Sequence, residues 1–145
     1  MLERVQTDAN AALRAGDRKT AGALRMLYSA LKNAQIANGR ELSEAQAITV
    51  VKKEIKQRVE ARDIFAANGR ETQAAQEEFE RSLYSQYAPA ELSMAQIDEI
   101  IIRVAKDVND TTFAKIMPLA MRESKGNADG KIVSERVKKY IETHI

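Results

Sequence analysis

The chain has no cysteine, no tryptophan and a single histidine, His144. Without cysteine there is no disulfide, no thiol nucleophile and no zinc–thiolate site, which fits a reducing compartment. Nucleophilic hydrolysis needs a nucleophile, a base and an orienting group held together, and one near-terminal imidazole does not supply that set. The six glycines are scattered. Each sits at an expected helix break or turn, except Gly22, so no glycine-rich loop forms a nucleotide cradle. No window approaches the roughly 20 apolar residues of a membrane span, and Met1–Gln6 has no apolar signal core. The expectation is a soluble cytoplasmic protein with no catalytic residue, no metal site and no cofactor.

Aromatic residues make up only 5% of the chain, against 30% charged and 44% apolar. Ala, Leu, Glu, Lys, Arg and Gln outweigh β-branched runs, so the fold is expected to be all-α, with no strand. At 145 residues the chain suits one domain or two small ones and can bury roughly 70% of its unfolded surface. The net charge of +2 does not by itself imply nucleic-acid binding, but its distribution is uneven. Asp17 to Arg40 carries Arg18, Lys19, Arg25, Lys32 and Arg40 against one Asp. Glu71 to Glu91 carries five Glu against Arg81, and Thr111 to Ile141 has seven basic residues against three acidic.

Periodicity predicts a first helix from about Leu2 to Ala15, with Leu2, Val5, Ala9 and Leu13 on one stripe and Gly16-Asp17 as the break. A second, capped by Asp17, presents Ala21, Leu24, Leu27, Tyr28 and Leu31 and stops at Asn38-Gly39. Ser43 and Gln46 form a capping box, with Leu42 as a staple, for a long third helix burying Ile48, Val51, Ile55, Val59 and Phe65 and closing at Asn68-Gly69. A fourth, roughly Thr72 to Gln86, spaces Ala75, Phe79, Leu83 and Tyr87 by four. Glu77, Glu78 and Glu80 read as its solvated face, and Tyr28, Tyr84 and Tyr87 as core or boundary residues.

Ala88-Pro89-Ala90-Glu91 interrupts the pattern, because proline cannot donate and pushes the preceding residue out of helical geometry. The expected organisation is therefore an N-terminal helical domain of about four helices at 1–88, a linker at 89–92 and a three-helix module at 93–145. Ser93 and Gln96 make a second capping box, before Ile97, Ile100, Ile101 and Val104. Two further helices follow, about Thr111 to Ser124 and Asp129 to Glu142. Pro118 should bend the former or end its first segment. Asn-Gly-Arg-Glu at 38–41 and 68–71, and Leu-Ser-x-Ala-Gln at 42–46 and 92–96, are repeated helix punctuation; the flanking helices differ too much for a repeat architecture.

The segment that carries most chemistry is Lys125 to Lys131. Phe113, Ile116, Met117, Ala120 and Met121 fall at helical spacing before it, Gly126 is a natural stop, and Asp129 can cap the next helix. A helix start beside Lys125 and Lys131 suits a phosphate oxygen. Asp129 competes for the same donors and repels an anion. Lys131, Arg136, Lys138 and Lys139 add cations downstream, with Lys138 pointing away from the stripe of Lys131, Glu135 and Lys139. The Phe113, Met117 and Met121 stripe reads as core packing rather than a partner groove.

The stretch Phe113 to Val133 resembles the "M-G-K-V-M-G-x-L-M-…-K-G-x-A-D-G-K-x-V" signature of the GatB/YqeY family. Leu24-Arg-Met-Leu-Tyr-Ser-Ala-Leu-Lys-Asn33 resembles its "I-R-M-L-x-A-A-L-K-N", Arg40-Glu-Leu42 its "R-E-L", and Lys52-Lys-Glu-Ile-Lys-Gln-Arg58 its "x-K-E-I-K-Q-R". Tyr87-Ala-Pro89 with Leu92-Ser93 resembles "Y-L-P-x-Q-L-S". The likeness spans Leu2 to about Ile141.

By that resemblance the fold is all-helical, with a small C-terminal three-helix part related to the tail domain of the B subunit of tRNA-dependent amidotransferases. That tail is implicated in holding the tRNA body, while phosphorylation and transamidation occur in other domains, which this chain lacks. The resemblance therefore implies the label of carbon–nitrogen ligase chemistry with glutamine as amido-N-donor, without the machinery to perform it alone. It carries over Lys115, Lys125, Gly126, Asp129, Gly130 and Lys131, with Arg136 and Lys139 as neighbours, as RNA-binding residues. Two departures stand out: Asn127 where many relatives have a basic residue, and Pro118 where they usually have a small one. The expected partner is tRNA or another structured RNA. The alternative is a protein module that docks on an amidotransferase, an aminoacyl-tRNA synthetase or another translation factor through the basic second helix or the acidic fourth.

Overall fold

The computed structural model describes residues 1–144. Among them the regular structure is seven α-helices and one short 3₁₀ turn, with no strand: α1 Leu2–Arg14, α2 Arg18–Asn38, α3 Glu44–Ala67, α4 Glu71–Tyr84, the 3₁₀ turn Ser85–Tyr87, α5 Met94–Val108, α6 Phe113–Ser124 and α7 Gly130–His144. Contacts divide the chain into two compact units, Met1–Pro89 and the residues from Ala90 onward.

Helix starts follow local chemistry. The Asp17 carboxylate accepts from the Thr20 N–H at 3.1 Å and opens α2. Both serine–glutamine boxes close: the Ser43 and Ser93 hydroxyls accept from the N–H of Gln46 and Gln96, and each glutamine side chain accepts from its serine N–H at 2.9 Å. Gly39 ends α2 at φ 76°, a left-handed geometry that costs glycine nothing.

In the first unit α1 packs on α2 and α3 on α4, while α2 also meets α3 and α4. Val5, Leu24, Leu27, Leu31, Val51 and Tyr84 are the large residues of its core. Each fully buried leucine contributes roughly 1.5–3 kcal/mol by leaving water. The Tyr84 hydroxyl donates to the Ala23 carbonyl at 2.7 Å, joining α4 to α2, and burial pushes its pKa up to about 12. Tyr87 is also buried; its hydroxyl donates to the Asp8 carboxylate, and the Arg4 guanidinium lies 4.7 Å from its ring centre.

Four expectations change in this unit. On α3 the buried residues are Ala47 and Val51, whereas Ile48, Ile55, Val59 and Phe65 are half-buried. Leu13 is 44% exposed, because it lies in the last turn of α1 and core contact has ended there. On α4 the buried positions are Glu80 and Tyr84, followed by Tyr87, whereas Ala75 is exposed and Phe79 and Leu83 are half-buried. The expected glutamate face is also not uniformly solvated, because α4 lies against α3. There Arg58 pairs with Glu54 at 2.9 Å and Glu77 at 4.0 Å, and Arg62 and Arg81 both hold Glu78, lowering its pKa to about 2, with Arg81 the larger cause. Glu80 is only 5% exposed, and burial raises its pKa, with repulsion from Glu77 adding to the effect.

In the second unit α5, α6 and α7 all pack on one another around Ile97, Ile101, Val104, Ile116, Val133 and Val137. Helix α6 runs continuously through Pro118 to Ser124, so the proline does not end its first segment. Proline at the sixth helical position removes one N–H, the donor to the first-turn carbonyl of Ala114. Pro118 is exposed and its neighbours Met117 and Leu119 pack on the core, which holds the helix together across that lost bond. The Phe113, Met117 and Met121 stripe divides: the two methionines pack on the core, and Phe113 is 37% exposed, with the Lys138 ammonium 5.9 Å from its ring centre.

Candidate nucleic-acid interface

The turn between α6 and α7 has an uncommon backbone. Ser124, buried, donates its hydroxyl to the Ala120 carbonyl at 2.7 Å in the final helical turn. Lys125 then takes the left-handed conformation at φ 52° and Gly126 follows at φ 74°, so the expected glycine stop is the second of two left-handed residues. A lysine held there costs of order 1 kcal/mol. The turn is pinned by Asn127, whose N–H donates to the Ser124 carbonyl at 2.9 Å and whose carbonyl accepts from the Leu92 N–H at 2.8 Å. Leu92 itself packs on the second core, so the segment entering the unit braces the turn.

Asp129 caps α7. Its carboxylate accepts from the Lys131 N–H at 3.0 Å and its carbonyl from the Val133 N–H at 3.0 Å. The donors at this helix start are thus partly engaged internally, and the capacity of the turn for an anion rests on side-chain ammonium groups more than on backbone N–H groups. Gly130 lies against Met121, whose methyl carbon would be 3.6 Å from an added Cβ. Lys125 and Lys131 are both exposed, and neither forms an ion pair among the described residues.

The other sequence-derived residues are not gathered at this turn. Lys115 precedes Lys125 by ten helical residues, about 15 Å along α6. Its ammonium pairs with Asp110 at 3.1 Å. Asp110 also accepts from the Thr112 N–H at 2.7 Å, and the bond to Thr112, with Lys115 adding to it, brings the Asp110 pKa down to about 2.

Arg136 reaches across to α5 and grips Asp98 with two parallel hydrogen bonds, the Nε one at 2.8 Å. That contact depresses the Asp98 pKa and raises that of Arg136. Lys139 stays exposed and adds to the positive field at Asp98. Arg136 and Lys139 line a shallow cavity of about 190 Å³ with Asp98, Ile101, Ile102, Tyr140, Thr143 and His144. The Tyr140 and His144 rings stack there with centres 4.0 Å apart.

The arrangement offers separated cations and hydrogen-bond donors. Asp98 and Asp110 escaped the sequence reading for different reasons. Asp110 sits two residues before Thr112, a local turn signal that was available. Asp98 and Arg136 lie 38 positions apart, and only packing of α7 on α5 joins them.

A family model described as Yqey-like protein matches residues 2–141, nearly the whole chain. No curated protein matches it.

Proposed function

The chain belongs to the YqeY-like protein family, and from that premise we infer that it is a non-catalytic accessory module that binds tRNA or another structured RNA. The observation that carries this reading is the pair Lys125 and Lys131, exposed, without ion-pair partners among the described residues, and held on either side of a braced turn. Positive charge in excess over α6 and α7 supports it. Lys139 extends the same charge along α7. Lys115 and Arg136 serve mainly as intramolecular partners of Asp110 and Asp98. In this reading the protein is cytoplasmic and associated with glutamine-dependent amidotransferase systems, and it contributes RNA affinity rather than carbon–nitrogen ligase chemistry.

The test is binding of the purified chain to total tRNA and to a length-matched RNA duplex at two salt concentrations. Salt-sensitive binding that favours tRNA is expected. Lys125→Ala with Lys131→Ala should weaken it and lower the slope of log K against log salt by about one to two, since each phosphate contact releases counterions. Absence of salt-sensitive binding to either RNA refutes the reading, equal affinity for duplex and tRNA refutes a preference for tRNA, and an unchanged double variant refutes the site.

A further inference from the structure

Helix α2 belongs to the first unit, and its 21 residues include Arg18, Lys19, Arg25 and Lys32 but no Asp or Glu. Ala21, Leu24, Leu27 and Leu31 are buried on one side. The helical period places Arg18, Arg25 and Lys32, seven residues apart, along one flank of α2, roughly 100–120° around the axis from the centre of that buried stripe, and all three are exposed. Seven residues rise about 10.5 Å, so the cations form a row about 21 Å long. None of the three has an ion pair, hydrogen bond or ring contact from its side chain among the described residues. Lys19, outside this face on the other flank of α2, is engaged, with its ammonium 4.2 Å from the Phe79 ring centre.

Gly22 lies within the same face. Gly16, Gly39, Gly69 and Gly126 all have positive φ, but Gly22 is helical, and a Cβ there would meet nothing within 4 Å. Neither backbone geometry nor packing within the chain calls for glycine, and a glycine in a helix interior weakens the helix. Its effect is to leave the surface between Arg18 and Arg25 flat, with Ser29 continuing the strip toward Lys32.

We propose that this face of α2 is a second binding surface for the RNA phosphodiester backbone, with Arg18, Arg25 and Lys32 as phosphate contacts and Gly22 as the point of closest approach. The proposal rests on the RNA reading of the protein. It favours RNA over a protein partner because the exposed apolar residues of α2, Met26 at 51% and Ile36 at 69%, lie about 15 Å apart along the helix and form no joint anchor. An evenly spaced row of unpaired cations with a flat floor fits a backbone contact, which carries no demand for base identity.

The test uses the full chain and total tRNA, with affinities measured at several salt concentrations between 50 and 200 mM. Two variants are compared with the wild type: Arg18→Gln with Arg25→Gln and Lys32→Gln, and the charge-neutral Gly22→Phe. Far-UV circular dichroism melts establish that both fold. The triple variant should lose about tenfold or more in affinity at low salt and lower the salt slope by about two to three. Gly22→Phe should weaken binding with the slope unchanged.

If Lys125→Ala with Lys131→Ala weakens binding while both α2 variants bind like wild type, the proposal is overturned and the turn assignment stands. If the α2 variants lose affinity and the lysine pair does not, the proposal stands and the turn assignment falls. Absence of RNA binding by the wild type overturns both. Capture of an acidic protein that depends on Arg18, Arg25 and Lys32, with RNA affinity unchanged, also overturns it.

Discussion

Removing Asp98 tests whether Arg136 holds the fold together or holds RNA. The two side chains meet through two parallel hydrogen bonds, with Arg136 23% and Asp98 36% exposed, which places the pair between two regimes. Exposed ion pairs contribute about 0.2–1 kcal/mol, and breaking a buried one costs about 3–5 kcal/mol. Bidentate geometry raises the estimate and solvent at the carboxylate lowers it, so Asp98→Asn should cost about 1–2 kcal/mol. In a unit this small that corresponds to a fall in Tm of about 4–8 °C per kcal/mol.

Arg136→Gln should cost a similar amount, and the double variant should lose little beyond either single one. Because the Asp98 pKa is depressed in the folded state, this stability is present above its ordinary value of 3.8 and is lost as pH falls through the folded value. Asp98→Asn also frees a guanidinium and removes a negative charge, so RNA affinity should hold or rise, while Arg136→Gln should reduce it less than the loss of Lys125 and Lys131. Thermal melts give the coupling energy and RNA titrations the second arm. A coupling near zero, or an Arg136→Gln defect as large as that of the lysine pair, would refute the assignment of Arg136 to Asp98.

Tyr84→Phe should cost about 1 kcal/mol, read from denaturant midpoints, because it deletes the buried bond to the Ala23 carbonyl and little volume. A neutral result would mean that the bond adds nothing net. Glu80→Gln should stabilise the protein at neutral pH. The raised pKa of Glu80 means that burial penalises its charge fully above the folded value, and the gain should shrink as pH falls toward the ordinary 4.5, as melts across pH would record. A gain that does not vary with pH would rule out charge burial as its source. Pro118→Ala should raise Tm through about 1–3 kcal/mol, since it restores a donor in a helix that already continues through that position. Destabilisation would show that the proline ring packs or pre-organises α6.

Local chemistry decided most of the secondary structure. Asp17, the two serine–glutamine boxes and Gly39 mark helix ends because their partners lie within a few residues, and the helical spacing of Leu24, Leu27 and Leu31 or of Ile97 and Ile101 identifies buried faces without reference to the rest of the fold. The Lys125–Lys131 turn was legible for the same reason, down to Asp129 capping the next helix. What depended on which helices meet was not legible. Glu80 looks like a surface residue until α4 lies on α3, and Arg136 looks like a free cation until α7 brings it to Asp98. Pro118 looks like a break until the core holds α6 on both sides of it. Capping and periodicity are short-range and recorded in order along the chain, whereas burial and ion pairing depend on residues 38 or 61 positions away, brought into contact only by packing.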